Sequence, residues 1–220
     1  MEFFITGTDT DCGKTLVTLA LMERLKGLGG RVAGMKPVAA GARPTPQGLR
    51  NADAEAILAH GSHPFPYELI NPCCFQTPAA PHLLPKLEGR PMALDAVWRA
   101  AESLRKTCDH LVVEGAGGWR VPLTDDLDMA GLCRHLQMPA ILVVGLKLGC
   151  LNHALLSAEA IAATGVPLAG WIATSLAPQM ELEAENLQTL QERIQAPFLG
   201  HLPWQNRPDP VKLAGRLRLP

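Results

Sequence analysis

The residues best suited to chemistry lie near the start of the sequence, in a loop that begins at Gly7 and ends with Gly-Lys-Thr at positions 13 to 15. An apolar run precedes this loop and an apolar-periodic segment follows it. In that context, backbone N–H groups and the positive end of the next helix bind a polyphosphate, the lysine neutralises its charge, and the threonine hydroxyl reaches Mg²⁺. The loop is one residue longer than the commonest form and has no extra lysine near its start. We therefore predict a nucleoside triphosphate site that includes Asp11, Cys12, Gly13, Lys14, Thr15 and Leu16.

Four charged residues fall at or just beyond the predicted ends of other strands: Lys36, Asp53, Glu114 and Lys147. Each alone is explained by a solvated surface position, but in a parallel sheet the carboxyl ends of the strands share one edge, where ligands bind. Mg²⁺ keeps several waters and takes few protein oxygens. The hydroxyl of Thr15 and the carboxylates of Asp53 and Glu114 are therefore the predicted metal ligands. Glu114 is the stronger candidate, since P-loop proteins commonly carry such an acid at a strand terminus.

Two loops of small residues are candidate ligand surfaces. Gly115-Ala116-Gly117-Gly118 has three glycines in four positions, which lets a substrate approach the backbone closely. This loop is predicted to stop the strand before it. The second loop, residues 147–151, leads to Asn152, which is expected to cap the next helix. Exposed N–H groups there suit a carboxylate, although a well-made helix cap explains the same residues equally well.

The elements that must position these residues alternate between strand and helix. Predicted strands cover residues 2–6, 31–36, 110–114, 139–145, 168–174 and the region near 198–199, and predicted helices cover 16–25, 51–60, 94–106, 152–164 and 181–194. The run at 139–145 is apolar throughout, as expected for a strand covered on both faces. The segment 61–91 is rich in proline and turn residues and is predicted to be a long excursion over the edge of the sheet. We predict one α/β domain over residues 1–220, with a doubly wound, mostly parallel sheet of the P-loop nucleoside triphosphate hydrolase type.

The composition of the chain limits which binding partners and which cellular compartment are expected. A net charge of −1 gives no reason to expect nucleic acid or an anionic membrane as a partner. The sequence lacks an apolar stretch of membrane-spanning length and the basic-then-apolar layout of a signal peptide, which predicts a cytoplasmic protein. Its six cysteines have neither Cys-x-x-Cys spacing nor a neighbouring histidine at ligand spacing, so they are expected to be reduced and mostly buried. Cys12 is assigned no catalytic role.

Several further segments appear in a characteristic order across nearly the whole chain. They are Gly-Thr-Asp-Thr at 7–10, Met-Lys-Pro-Val-Ala at 35–39, Gly-Leu-Arg-Asn-Ala-Asp at 48–53, Val-Glu-Gly-Ala-Gly-Gly-Trp at 113–119, and Val-Val-Gly-Leu-Lys-Leu-Gly-Cys-Leu-Asn-His-Ala at 143–154. The phosphate loop alone belongs to a very large class, but the other segments together are far more selective. With them the chain resembles the dethiobiotin synthetase family.

The resemblance implies a reaction and a set of residues. The family uses ATP, Mg²⁺ and CO₂ to close a ureido ring on 7,8-diaminononanoate, the penultimate step of biotin synthesis, and works as a homodimer with substrate at the subunit interface. Lys14 and Lys36 would be catalytic, through charge neutralisation. Besides the loop residues, ATP contacts would come from Asp53, Glu114, Gly115, Ala116, Gly117, Thr174, Ser175, Pro203, Trp204 and Gln205. Substrate contacts would come from Thr10, Ala40, Gly117, Gly149, Cys150, Leu151 and Asn152, the last four from the neighbouring subunit.

This sequence departs from the family pattern at three places. Ala40 stands where the family commonly has serine. The hydrogen bond from that serine hydroxyl to the substrate carbamate cannot form here, and a backbone N–H is the group that could substitute for it. Thr174 and Ser175 stand where an Asn-Asp pair typically contacts adenine. Pro210 stands where an acidic residue is often found. These changes predict less selective recognition of the nucleotide base.

Other classes of phosphate-loop protein fit less well. A small GTPase requires a guanine-reading Asn-Lys-x-Asp sequence, which is missing. A partitioning or regulatory ATPase usually carries the extra loop lysine that is lacking here, and residues 211–220 are too short for a membrane-docking helix. An amide-forming ligase of cobalamin synthesis shares a similar nucleotide core, but the chain has no glutamine-hydrolysing domain. That ligase is the nearest alternative.

Overall fold

A central sheet of six parallel strands forms the middle of the molecule. The computed structural model describes all residues from 1 to 220. The strands of this sheet are β1 (Glu2–Gly7), β2 (Val32–Met35), β7 (His110–Gly118), β8 (Ala140–Leu146), β9 (Leu168–Ser175) and β10 (Phe198–Leu202), in the spatial order β10-β9-β8-β1-β7-β2. All five pairings between neighbours are parallel. The prediction of a doubly wound parallel sheet is confirmed.

Short strands and helices complete the fold. Two small sheets pair β3 (Val38–Ala39) with β6 (Cys73–Cys74), and β4 (Arg43–Thr45) with β5 (Gly48–Arg50). The helices are α1 (Lys14–Lys26), α2 (Ala52–Ala59), α3 (Tyr67–Ile70), α4 (Leu84–Glu88), α5 (Leu94–Thr107), α6 (Met129–Leu136), α7 (Cys150–Ala163), α8 (Glu183–Arg193) and α9 (Pro210–Ala214), with a 3₁₀ turn at Pro81–Leu83. None of them has the length and apolar character needed to cross a membrane.

Burial explains why β8 could be predicted so readily. Every residue of β8 is buried, because neighbouring strands flank it and helices cover both faces of the sheet. Phe4 and Trp171 lie fully buried in the adjoining strands. The sequence signal was strong because a strand buried on both faces needs no polar alternation.

The prediction that the glycines after Glu114 stop their strand was wrong. Strand β7 continues through Gly115 to Gly118, and Gly7 pairs with Gly118 at the far end. A Cβ on Gly115 would lie 3.1 Å from the ring of Phe4. That glycine is therefore required by close packing inside the sheet rather than by an open loop.

The excursion at 61–91 lies beside the edge strand β2 and contains α3, β6 and α4. It contributes to the core through buried side chains, among them Ile70, Phe75 and Leu84. The backbone N–H of Lys36 donates to the carbonyl of Ile70 at 2.7 Å. The segment therefore fixes the chain immediately after β2.

Outside the excursion, four further features had no counterpart in the sequence prediction: β3, the β4–β5 hairpin, α6 and α9. Each has eight residues or fewer, which is too short for apolar periodicity to be decisive. Side-chain caps mark two of them, since Asp128 accepts from the N–H of Gly131 at the start of α6, and Asp209 accepts from that of Val211 at the start of α9.

The cysteines agree with the prediction of reduced, mostly buried thiols. All six are free, five of them are buried, and Cys108 is half-buried. Burial raises the pKa of the Cys133 thiol to about 12, which leaves it a neutral packing group.

Candidate active site

The phosphate loop connects β1 to α1 at the carboxyl edge of the sheet. Gly13 is the residue before α1 and has a φ of 92°, in the left-handed region that favours glycine. Helix α1 has neither a side-chain cap nor an acidic residue in its first turn. Its first N–H groups and its positive dipole are therefore available to an anionic ligand.

The side chains of Lys14 and Cys12, at the end of the phosphate loop, have different surroundings. Lys14 is largely buried and its Nζ donates to the carbonyl of Asp9 at 2.7 Å, so the ammonium lies over the loop. The Sγ of Cys12 contacts the carbonyl of Val143 at 3.6 Å, on the side of the sheet. Only the backbone of Cys12 can therefore meet a ligand.

A buried charge cluster lies next to the loop. The Nζ of Lys36 is 2.5 Å from Oε1 of Glu114 and 3.0 Å from Oδ2 of Asp53. The hydroxyl of Thr15 donates to the same Oε1 of Glu114 at 2.9 Å. The Lys36 side chain is 7% exposed and that of Glu114 is 0% exposed, whereas that of Asp53 is 41% exposed. One lysine, two carboxylates and the loop threonine thus form a single hydrogen-bonded group.

The cluster is held in defined charge states. Burial by itself lowers the pKa of Lys36, but the carboxylates of Glu114 and Asp53 outweigh that effect and raise the pKa above its ordinary value. Burial raises the pKa of Asp53, and the charge of Lys36 more than reverses this, leaving the pKa lowered. At neutral pH Lys36 is a cation and Asp53 an anion.

Adjacent strands place Lys36 and Glu114 side by side. Met35, the last residue of β2, pairs with Val113 of β7, so Lys36 and Glu114, which follow them in the chain, fall at the same level. Asp53 comes from the first turn of α2, where the side chain of Asn51 accepts from the N–H groups of Asp53 and Ala54. Asx capping therefore fixes the position of Asp53.

Asn51 was not among the predicted site residues, although it has two further contacts. Its Nδ2 donates to the carbonyl of Ala40 at 3.0 Å, and its backbone N–H donates to the hydroxyl of Tyr67 at 2.8 Å. Burial raises the pKa of Tyr67 to about 12, so that hydroxyl stays neutral. The sequence signal for this role was the Asn-Ala-Asp order, which is typical of a helix start.

The oxygen atoms of the cluster are suited to a hard divalent cation. Oε2 of Glu114 is buried and has no hydrogen-bond partner, which is costly for a carboxylate oxygen unless a ligand completes it. The hydroxyl of Thr15 and the carboxylate of Asp53 are close by. No group of three or more His, Cys, Asp or Glu side chains is arranged to hold a metal. This set therefore fits Mg²⁺ that arrives with a nucleotide better than a permanently bound metal.

A cavity of about 770 Å³ opens over the loop and the cluster. It is large enough for a small organic substrate beside a triphosphate. Twelve of the predicted site residues line it: Thr10, Asp11, Gly13, Lys14, Thr15, Leu16, Lys36, Ala40, Asp53, Glu114, Ala116 and Gly117. Lining residues that the prediction missed are Val38, Ala39, Asn51, Pro78, Ala79, Ala80, Pro81 and Val121.

The other predicted residues lie outside this cavity. Thr174 is buried and its hydroxyl donates to the carbonyl of Cys12 at 2.6 Å, so it supports the phosphate loop. Ser175 follows it at the end of β9, and Trp204, beyond the end of β10, is 41% exposed. Also outside are Cys12, Gly115, Pro203, Gln205, Gly149, Cys150, Leu151 and Asn152.

The loop after β8 differs from expectation in two ways. Helix α7 begins at Cys150 with Gly149 as its cap, so the prediction that Asn152 caps the helix was wrong. Lys147 lies apart from the Lys36 cluster and pairs with Asp9 at 2.6 Å. The hydrogen bond from Lys147 lowers the pKa of Asp9, and the same bond raises the pKa of Lys147. This exposed ion pair joins the start of the phosphate loop to the loop before α7.

Comparison with known proteins gives consistent matches. The family model described as an AAA domain matches residues 1–211. The chain is 45% identical to ATP-dependent dethiobiotin synthetase BioD 1 of Escherichia coli (strain K12), over 92% of this chain and 90% of that protein. It is 46% identical to ATP-dependent dethiobiotin synthetase BioD of Xanthomonas axonopodis pv. citri (strain 306), over 99% of this chain and 97% of that protein.

Solved structures share the fold at much lower identity. The signal recognition particle receptor FtsY from Elizabethkingia anophelis aligns with a TM-score of 0.57 at 14% identity, over 98% of this chain and 64% of that one. A chain of the MinC:MinD cell division protein complex of Aquifex aeolicus aligns with a TM-score of 0.55 at 16% identity, over 93% of this chain and 82% of that one. These likenesses support the P-loop fold alone. By its identity to curated relatives along nearly their whole length, the chain belongs to the ATP-dependent dethiobiotin synthetase family.

Proposed function

We propose that this protein is an ATP-dependent dethiobiotin synthetase, which carboxylates 7,8-diaminononanoate with CO₂ and closes the ureido ring to give dethiobiotin, ADP and phosphate. The observation that carries the proposal is the buried Lys36–Glu114–Thr15 group next to the phosphate loop, inside one cavity. In the proposed complex this group would supply a cation beside the triphosphate. Family membership supplies the substrate.

The nucleotide would bind with its phosphates on the loop. The free N–H groups at the start of α1 and the ammonium of Lys14 face that position, and they carry the positive charge that a triphosphate requires. Thr15, Asp53 and Glu114 would hold Mg²⁺, which supplies charge neutralisation for the γ-phosphate when bound. Glu114 is the only one of the three with a buried oxygen that lacks a partner.

The carbamate chemistry needs no protein nucleophile. One substrate amine adds to CO₂ and loses a proton, a carbamate oxygen attacks the γ-phosphorus and releases ADP, and the second amine attacks the carbonyl carbon and releases phosphate. Negative charge develops on the carbamate and on the transferring phosphoryl group. Lys36 lines the cavity and stays protonated because Glu114 and Asp53 stabilise its cation. Its proposed role, with Lys14, is to stabilise that charge.

The distal carboxylate of the substrate would bind to the loop at Gly149–Asn152 of a second subunit in a homodimer. Two features support this placement. Leu148 is 98% exposed, and Gly149 leaves the first N–H groups of α7 without a side-chain cap. Cys150 is buried and its backbone N–H already donates to the carbonyl of Lys147 at 2.9 Å, so the carboxylate would be met by the N–H groups of the neighbouring residues Leu151 and Asn152.

The test is direct. Purified protein with 7,8-diaminononanoate, bicarbonate and Mg-ATP should form dethiobiotin, identified by mass spectrometry. Lys36→Met should reduce turnover by about a hundredfold or more, as expected when a charge-stabilising group is removed. Lys212→Met is a matched control, because Lys212 is 82% exposed and far along the chain from the cluster. Nucleotide hydrolysis without dethiobiotin, or equal loss in both variants, would reject the proposal.

A further inference from the structure

Lys36 lies one residue beyond the end of β2, so the pairing of the central sheet does not fix it. Both of its backbone groups bind the excursion instead. The N–H of Lys36 donates to the carbonyl of Ile70 at 2.7 Å, and the carbonyl of Lys36 accepts from Nδ2 of Asn71 at 2.7 Å. Asn71 is buried. The excursion therefore holds the backbone that carries the Lys36 side chain.

The hydroxyl of Tyr67 lies between Asn71 and Asn51. It donates to Oδ1 of Asn71 at 3.1 Å and accepts from the backbone N–H of Asn51 at 2.8 Å. All three residues are buried. An amide has one acceptor end and one donor end, so the bond from Tyr67 to the oxygen of Asn71 leaves its nitrogen for the carbonyl of Lys36. The Tyr67 hydroxyl thus orients the group that holds Lys36.

The other end of this network reaches a charged partner of Lys36. Oδ1 of Asn51 accepts from the N–H of Asp53 at 3.1 Å, and Oδ2 of Asp53 is 3.0 Å from Nζ of Lys36. The hydrogen bonds therefore close a ring. One half runs from the Lys36 backbone to Tyr67, and the other runs from Tyr67 through Asp53 to the Lys36 ammonium.

We propose that Tyr67 is a positioning residue for Lys36: its hydroxyl joins the two halves of this ring and so fixes where the Lys36 ammonium lies in the cavity. Tyr67 is not among the residues that line the cavity, so it acts through Asn51 and Asn71 and not by touching a substrate. The inference rests on the proposed function for the part that Lys36 plays in the reaction. Burial raises the pKa of Tyr67 to about 12, so the hydroxyl keeps the hydrogen that it donates.

Tyr67→Phe removes the hydroxyl and keeps the ring, whose centroid is 4.1 Å from Cζ of Arg50. The N–H of Asn51 and Oδ1 of Asn71 are then buried without this partner, and the amide of Asn71 is no longer oriented. A misplacement of about 1 Å can cost about a hundredfold in rate, so kcat for dethiobiotin formation should fall by about ten- to hundredfold. The KM for Mg-ATP should change by less than about twofold, because the phosphate loop is not part of the ring.

Acetylation by acetic anhydride measures the position of Lys36 without the biotin reaction. The reagent attacks a neutral, accessible amine, whereas the Lys36 side chain is 7% exposed and Glu114 and Asp53 hold it as a cation. Lys36 should therefore react slowly in the wild type, relative to the exposed Lys106 as internal standard. Loss of one hydrogen bond makes local opening about three- to tenfold more frequent. The ratio of Lys36 to Lys106 acetylation, measured by mass spectrometry, should rise by that factor in Tyr67→Phe.

Ser62→Ala is the matched control. The hydroxyl of Ser62 accepts from the N–H of Val32 at 2.6 Å, at the opposite end of β2 from Lys36. This variant removes a hydrogen bond to the same strand and should match the wild type in kcat and in the acetylation ratio. Asn71→Leu is a second test, because it roughly keeps the volume but loses the donor to the Lys36 carbonyl, and it should lower kcat as Tyr67→Phe does. Far-ultraviolet circular dichroism checks that each variant is folded.

Three results would overturn the proposal: a kcat of Tyr67→Phe within about twofold of the wild type, an unchanged acetylation ratio, or an equal loss in Ser62→Ala. Wild-type protein that forms no dethiobiotin would instead reject the proposed function. In that case the acetylation ratio still decides whether Tyr67 positions Lys36, because the diamine is not needed for it.

Discussion

Replacing Lys36 by methionine should destabilise the protein far more than the loss of a surface charge. Glu114 is fully buried, and with methionine in place of Lys36 it keeps only the hydroxyl of Thr15 as a partner. Asp53 can turn to water because its side chain is 41% exposed. Removing one partner of a buried ion pair costs about 3–5 kcal/mol, because the remaining charge is left uncompensated. For a chain of this length, such a loss corresponds to a fall in Tm of roughly 10 °C.

Urea unfolding followed by circular dichroism at neutral pH measures this cost. The raised pKa of Lys36 means that its contribution is fully present below its ordinary value of 10.5 and is lost only as the pH rises beyond that. Neutral pH therefore reports the whole effect. The midpoint should fall while the slope m stays constant, since both proteins expose the same surface on unfolding.

A double-mutant cycle separates the ion pair from simple packing. Lys36→Met with Glu114→Leu removes both charges and should recover most of the stability lost by Lys36→Met alone. Asp53→Asn should cost less than about 1 kcal/mol, because that pair is partly solvated. If Lys36→Met cost under about 1 kcal/mol, or the double variant were no more stable than Lys36→Met, the reasoning from burial would be wrong.

Three further predictions follow from the same geometry. Lys14→Met should weaken Mg-ATP binding by about a hundredfold with little change in Tm, because the ammonium of Lys14 donates to the carbonyl of Asp9 and to the Sγ of Cys12 but pairs with no carboxylate. Calorimetry checks the affinity, and Lys26→Met is the matched control. Asp53→Asn should make the free energy of unfolding less dependent on pH on the acid side. The pKa of Asp53 is lowered, so its carboxylate stabilises the fold above the ordinary value of 3.8, and this stabilisation is lost as the pH falls below that value. Urea unfolding measured between about pH 6 and pH 3 should therefore give free energies that converge for variant and wild type at the acid end. Gly13→Ala should cost about 2 kcal/mol and impair nucleotide binding, because φ is 92° and the new Cβ would lie 2.9 Å from Thr174; an unchanged Tm would contradict this.

Local sequence was sufficient for the features that depend on short-range chemistry. Gly13, Lys14 and Thr15 form a phosphate loop in almost any protein that places them between a buried strand and a helix, so the loop and the α/β class were predictable. The apolar run of β8 predicted a strand buried on both faces, and that prediction is confirmed. The order of the motifs along the chain indicated the family, which the relatives confirm.

The sequence could not show which polar residues meet across strands. Lys36 and Glu114 are far apart in the chain, and their contact depends on the parallel register of β2 with β7. Lys147 has the same type of side chain at the end of another strand, yet it pairs with Asp9 instead. The glycines after Glu114 have the composition of a loop, but pairing with β1 and contact with Phe4 keep them in the strand. Residue types and short spacings thus determined the nucleotide loop and the alternation of strands and helices, because those depend on local backbone geometry and apolar pattern. Only the tertiary structure decided the partner of each charge and the burial of Glu114, because both are set by strand order and register, which bring together residues that the chain keeps far apart.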